Sequence, residues 1–229
     1  MFIGCEPPRG LKFHLGNYEL KISHSVQDLG IIYTDNLRFD EYIAKKVCLA
    51  YARSNFIFHA FSTRKVSTLF KLFCAYVRPI LEYCTPLWSP SKQKLIDTVE
   101  NVQRKFTSRI FARNGLFHIP YPERLSRLNS TSLTFRRIVY NQCLLFKIMS
   151  GTVEIDMRDM FTFSNSISRT RGHQFRFSVD RARSQQFHDS FLIRAVRTWN
   201  NLPDAVVNSS SPSSFCTKLE FVLKQRGFY

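Results

Sequence analysis

The chain has 229 residues, is 44% hydrophobic with 22 Phe, and carries a formal net charge of +16. That length allows one large domain or two small ones with a real core, and the apolar content excludes a disordered polypeptide. The charge points to a polyanionic partner, nucleic acid first and an anionic membrane surface second.

Residues 1–40 are expected to be β-rich. Segment 17–23 alternates apolar and polar side chains as a half-buried strand does. Segment 26–33 reads as a second strand, in which Gly30 lets another backbone come close, and 34–36 reads as a turn. Periodicity then predicts a helix near 40–61, with Ile43, Val47, Ala50, Tyr51, Phe58 and Phe61 on one face and Asp40 as N-cap. A second helix near 64–82 has the cleanest apolar stripe, running from Val66 through Leu69, Phe70, Phe73, Cys74 and Val77 to Ile80 and Leu81. Pro79 should end or kink it, because proline lacks an N–H and clashes with the preceding turn. A third helix near 91–114 carries Leu95, Val99, Val102, Phe106 and Ile110 on one face and closes at Asn114 and Gly115.

A loop containing Pro120 and Pro122 marks a candidate subdomain boundary. Helical periodicity returns over 133–149 and stops at Gly151. Segment 162–183 is polar, Arg-rich and irregular, although Phe175, Phe177 and Val179 alternate as a short strand would. A helix near 187–200 leads into Trp199 and Pro203, and a last one has Ser211 to cap it, Pro212 in its first turn and Gly227 to stop it. The expected fold is mainly α: a strand pair over 1–40 forming a small N-terminal β-hairpin, a three-helix bundle over 41–118, and an α-rich subdomain over 119–229.

The six cysteines are scattered, with no local pair and no His at ligand spacing, which argues against zinc and for reduced, mostly buried thiols. Lys105, Arg109 and Arg113 recur every four residues on the third helix and share a side, with Lys92, Lys94 and Arg104 nearby in sequence. Such a row can follow phosphates without reading sequence; the competing reading is a solvated helix face. Arg169, Arg171 and Arg176 interleave with Phe175 and Phe177, a pattern that suits base stacking beside phosphate contacts, or equally a surface loop over a buried Phe ridge. Arg136 and Arg137 beside Phe135 give a weaker signal of the same kind, since one of them can snorkel from a packed helix. Arg78, Glu82 and Glu100 are read as an ion-pair network between the second and third helices. Catalysis finds little support: no two Asp residues are adjacent for a two-metal site, and the chain has neither a Gly-rich phosphate loop nor a nucleophile elbow. The apolar run 72–77 is far too short to span a bilayer, and the first residues lack the pattern of a signal peptide, so an intracellular protein of nucleus or cytoplasm is expected.

A set of segments in fixed order resembles one family. These are Asp28 to Ile31 with Leu37 to Phe39; Arg78 to Tyr83 with Trp88 and Pro90; and Glu100 to Arg104. Ser132 to Arg137, Phe146 to Gly151, Arg169 to Gly172, and Trp199 to Pro203 with Phe215 follow. Together they are similar to the thumb and post-thumb region of non-LTR (LINE-type) retrotransposon reverse transcriptases, most of all those of Jockey-like elements. The resemblance implies thumb helices that grip a template–primer duplex of RNA and DNA. It implies a primer-grip-like position for Leu29 and Gly30, and a thumb signature in Arg78, Pro79, Glu82, Tyr83 and Trp88. The catalytic Asp residues and their Mg²⁺ would lie upstream, in a palm that this sequence does not contain, so no catalytic or metal residue is assigned and no cofactor is expected on the chain itself. Met1 then reads as a start inside a longer frame. The family commonly has His just before Ile43, where this chain has Tyr42. The expected function is residual nucleic-acid binding by a reverse-transcriptase fragment without polymerase activity of its own. The alternatives are a helical module whose 66–81 stripe, uncovered without a palm, holds a protein partner or a second copy, and a translated relic.

Overall fold

The computed structural model describes residues 1–4, 10–156, 162–163, 173–178 and 184–227. Two hairpins open the chain where one strand pair was expected. β1 (Phe13–Leu15) pairs antiparallel with β2 (Tyr18–Leu20), and β3 (Ser25–Asp28) with β4 (Ile31–Thr34). The segment 26–33 is therefore folded back on itself. Leu29 (φ 45°) and Gly30 (φ 78°) form its two-residue loop, both in the left-handed region that a type I′ turn requires. Glycine adopts this freely; a leucine there is strained by roughly 1–2 kcal/mol. Segment 17–23 is not half-buried either, since every residue of β1 and β2 is exposed.

Helices make up most of the rest. α1 (Asp40–Ala60) begins at Phe39, which takes the N-cap position without a side-chain bond, so Asp40 acts from the first turn and not as the cap. α2 (Val66–Tyr76) stops before Pro79, and α3 (Arg78–Glu82) restarts with that proline in its first turn, as a ring without an N–H dictates. A single turn, α4 (Thr85–Trp88), leads into α5 (Gln93–Ala112). Gly115 (φ 73°) ends that helix, with Leu116 N donating back to the Phe111 carbonyl. The proline segment is not a plain loop: Pro122 sits in the first turn of α6 (Tyr121–Arg127). α7 (Leu133–Met149) follows, with the Ser132 hydroxyl accepting from Phe135 N. The helix expected over 187–200 is broken into α8 (Gln185–His188) and α9 (Phe191–Trp199). After α10 (Asp204–Val207), α11 (Pro212–Gln225) is capped by Ser211 and stopped at Gly227 (φ 79°).

Two apolar cores result. The first joins Ile31 of β4 to α1, α2, α3, α4 and α5, with Phe58 and Phe73 each packed at a tilt on Phe106, 4.7 Å between centroids. The stripe from Val66 to Leu81 lies inside it: Leu69, Phe70, Phe73, Val77 and Leu81 are all buried, so the stripe is not the uncovered surface that a missing palm was expected to leave. The second core gathers α7, α9, α10 and α11 around Phe146, Trp199 and Phe215. α7 belongs to both, with Leu133 in the first core and Phe135 onward in the second. Phe177 enters the second core, its backbone N–H and C=O both held by the Asn200 amide, and it bridges to Phe163. Val179 lies outside the described residues.

The cysteines depart from expectation. Cys143 of α7 and Cys216 of α11 are joined, their Cα atoms 6.1 Å apart. Cys48 and Cys84 are exposed, whereas Cys74 is half-buried against the first core, where burial raises its thiol pKa. Separation by 73 residues hid the pairing from any spacing rule. No described helix is long and apolar enough to cross a membrane.

Candidate nucleic-acid interface

α1 and α5 lie side by side and run parallel. Lys105 is over the Tyr51 ring at 5.2 Å, and Arg109 and Arg113 are over the Phe58 ring at 4.2 and 4.8 Å. The contacts therefore advance in the same direction along both helices. Each cation keeps its charge in water while resting on an aromatic face, which fixes its direction. The predicted row exists, but its members differ. Lys105 and Arg109 are exposed, Arg109 donating also to Asn55 Oδ1 at 3.0 Å. Arg113 is half-buried and donates to the carbonyls of Phe58 (2.7 Å) and Phe61 (3.2 Å). It thus caps the C-terminus of α1, where free carbonyls and the helix dipole favour a cation.

The other basic candidates do not join this row. Lys92 and Lys94 are at the opposite end of α5, about 30 Å from Arg113 at 1.5 Å per residue. Arg104 pairs with Asp97 at 3.3 Å and lies over the Tyr121 ring. Arg176 is half-buried between the exposed Phe175 and the buried Phe177. Arg169 and Arg171 lie outside the described residues.

Further cations lie in the same stretches of sequence. Between Glu41 and Glu82 the chain has no acidic residue, yet it carries Lys45, Lys46, Arg53, Arg64, Lys65, Lys71 and Arg78. Between Glu100 and Glu123 it again has none, while carrying Arg104, Lys105, Arg109 and Arg113. The C-terminal half of α1, the 61–65 connection and the C-terminal half of α5 come from these two spans. Among the described residues, no carboxylate pairs with Arg53, Arg64, Lys65, Lys105, Arg109 or Arg113. Arg64, which lines a cavity with Arg113, and Lys65 beside it were missed as site residues. The signal that could have found them is the missing acids, which a search for clustered bases overlooks.

The thumb-signature residues form a structural joint. The Tyr83 hydroxyl donates to the Leu29 carbonyl at 3.0 Å, tying the β3–β4 loop to the end of α3. Trp88 is 2% exposed and donates from Nε1 to the Tyr83 carbonyl at 2.7 Å. Its ring packs on Tyr42, 5.7 Å between centroids. Glu82 takes Arg136 of α7 bidentately, with the Tyr140 hydroxyl at 3.2 Å and Arg78 at 3.8 Å. Burial opposes charge on Arg136, but its bonds to Glu82 hold its pKa above the ordinary value.

Glu100 does not join that network. Buried at 3% exposure, it accepts from Leu133 N (3.1 Å), Thr134 N (3.0 Å), Thr134 Oγ1 (3.0 Å) and the Tyr121 hydroxyl. Its carboxylate therefore sits at the N-terminus of α7, where an anion is favoured. Burial, followed by the Glu100 charge, raises the Tyr121 phenol well above its usual value.

A cavity of about 420 Å³ opens at the far end of α5, walled by Tyr33, Phe39, Trp88, Lys92, Phe191 and Arg194. Arg194 donates to the carbonyls of Pro86 (2.7 Å), Asp189 (2.8 Å) and Ser89, which fastens α9 to the proline connection. Burial lowers its pKa to about 10. Lys92 and Arg38 meet Asp40 and Asp189 around this cavity, so it lacks the single sign of charge found on the α1–α5 face. Among the described residues no three His, Cys, Asp or Glu side chains group closely enough to hold a metal ion.

No family model matches the chain, and no solved structure does so. Over 148 residues it is 27% identical to "Uncharacterized protein B0403.1" of Caenorhabditis elegans, a match covering 65% of this chain and 74% of that protein.

Proposed function

We propose that the chain is a nucleic-acid-binding piece of a non-LTR reverse transcriptase, holding the phosphates of a template–primer on the α1–α5 face. One observation carries the reading: on a surface built from two acid-free spans, Lys105 and Arg109 stand on aromatic rings, paired with no carboxylate among the described residues. A surface of one sign with oriented cations attracts a polyanion and reads no bases. The ordered resemblance names the polyanion as an RNA–DNA duplex. The bond from Tyr83 to Leu29 supports it further, because the thumb-signature and primer-grip-like positions meet. The chain would bind and not polymerise.

The test is affinity for duplexes of unrelated sequence. Lys105→Glu with Arg109→Glu should weaken binding to all of them alike, by tenfold or more if each lost contact is worth about 1 kcal/mol. Unchanged affinity in a folded double variant would reduce the row to solvated surface. Arg113 is left intact because it caps α1.

A second reading rests on the first hairpin. The register Phe13↔Leu20 and Leu15↔Tyr18 puts these four side chains on one face, and Leu15 and Tyr18 are 72% and 81% exposed. A bare two-stranded apolar face is marginal in water, which favours a protein partner or self-association there. Light scattering alongside the binding assay separates the two readings.

A further inference from the structure

The basic face ends in aromatic rings that phosphate contacts leave unexplained. Phe56 of α1 is 63% exposed, and Phe61, just past its end, 40%. Each borders its own open cavity. One, of about 470 Å³, is walled by Phe56, Phe58, His59, Asn55 and Arg109. The other, of about 350 Å³, is walled by Phe61, Phe58, His59, Arg64 and Arg113. The two share Phe58 and His59 and are therefore neighbours, each with an exposed ring and at least one guanidinium.

A phenyl ring offers a phosphate backbone nothing, having neither charge nor hydrogen-bond donor. It offers a π face, which nucleic-acid bases use only where they are not already stacked within a duplex. The guanidinium groups beside the rings supply charge for the phosphates between successive bases, and Arg109 is also held over Phe58, 4.2 Å from its centroid. From this geometry we infer that the end of the face formed by Phe56, His59, Phe61 and Arg64 takes two successive unpaired bases of a single strand. The inference rests on the nucleic-acid reading and adds a distinct substrate class to it: a duplex lies along Lys105 and Arg109, and its single-stranded extension runs over Phe56 and Phe61. Because stacking accepts any base, the preference is for strandedness and not for sequence.

The experiment compares a blunt duplex with the same duplex carrying a short single-stranded extension, using a fluorescent base analogue in the extension. The extended form should bind at least about tenfold tighter, the worth of one stacked base, with the analogue quenched on binding. Phe56→Ala with Phe61→Ala should abolish both the preference and the quenching while leaving blunt-duplex affinity unchanged. Phe56→Tyr with Phe61→Tyr should retain them, which separates loss of the π faces from damage to the fold. Equal binding of blunt and extended duplexes by the wild-type chain would overturn this inference and leave the broader reading standing, as would a preference that survives the alanine pair. Binding of neither form would overturn both.

Discussion

Tyr42 stands where the resembling family commonly has His, and its surroundings explain what an aromatic ring does there. It is 1% exposed, packed on Trp88, with Lys46 over its ring at 5.1 Å and no hydrogen-bond partner for its hydroxyl among the described residues. Burial pushes its phenol up to about 12, with smaller contributions from Cys84, Tyr83 and Tyr33. An unfolded tyrosine ionises near pH 10. The unfolded chain therefore loses this proton first, and stability is pH-independent through this residue below about 10 and falls from there toward 12. Tyr42→Phe should flatten part of that alkaline fall in denaturant titrations. At neutral pH it should leave stability equal or higher by up to about 1 kcal/mol, since it deletes an unsatisfied group. An unchanged alkaline profile, or a clear neutral-pH loss, would contradict this account of the site. Single residues were the least legible level of the sequence. Spacing put Arg113 in line with Lys105 and Arg109, which is correct as geometry, but periodicity names a face and not the carbonyls waiting on the neighbouring helix. For the same reason Glu100, read as an ion-pair partner, proved to be a cap for α7.

Elements were far more legible, because helix periodicity and proline or glycine punctuation act locally. The break at Pro79, the stop at Gly115 and the Ser211 cap follow from backbone rules that need no tertiary context. The β3–β4 hairpin did not follow, since Leu29 occupies a loop position where Asn or Gly would have announced the turn. Pro122 looked like a loop marker because proline suits both a turn and the first turn of a helix. Between elements, Glu100 is the main polar joint, linking α5 to the start of α7 and to α6 through Tyr121. Glu100→Ala leaves two backbone N–H groups without their acceptor, and should cost about 3 kcal/mol in urea unfolding. Glu100→Gln, which keeps an acceptor oxygen, should cost clearly less. A loss below about 1 kcal/mol for the alanine variant would mean that α7 is held by its apolar contacts alone.

At the scale of the whole molecule, charge and architecture divide the work. The two cores share α7, and Arg136 and Arg194 are spent on holding the C-terminal helices to α3 and the proline connection. These cations are thus unavailable to a ligand, while others stand unpaired where two acid-free spans of sequence fold side by side. Composition points to a polyanionic partner; which cations stay free could be learned only once the fold had assigned the others. The central claim, that this face holds phosphates, is tested most directly by the salt dependence of duplex affinity for the wild-type chain and the Lys105→Glu, Arg109→Glu variant. With three to five phosphates neutralised, log K against log salt should have a slope of about −3 to −4.5, shallower by about 2 in the variant. A slope near zero for the folded wild-type chain, or the same slope in both proteins, would contradict it.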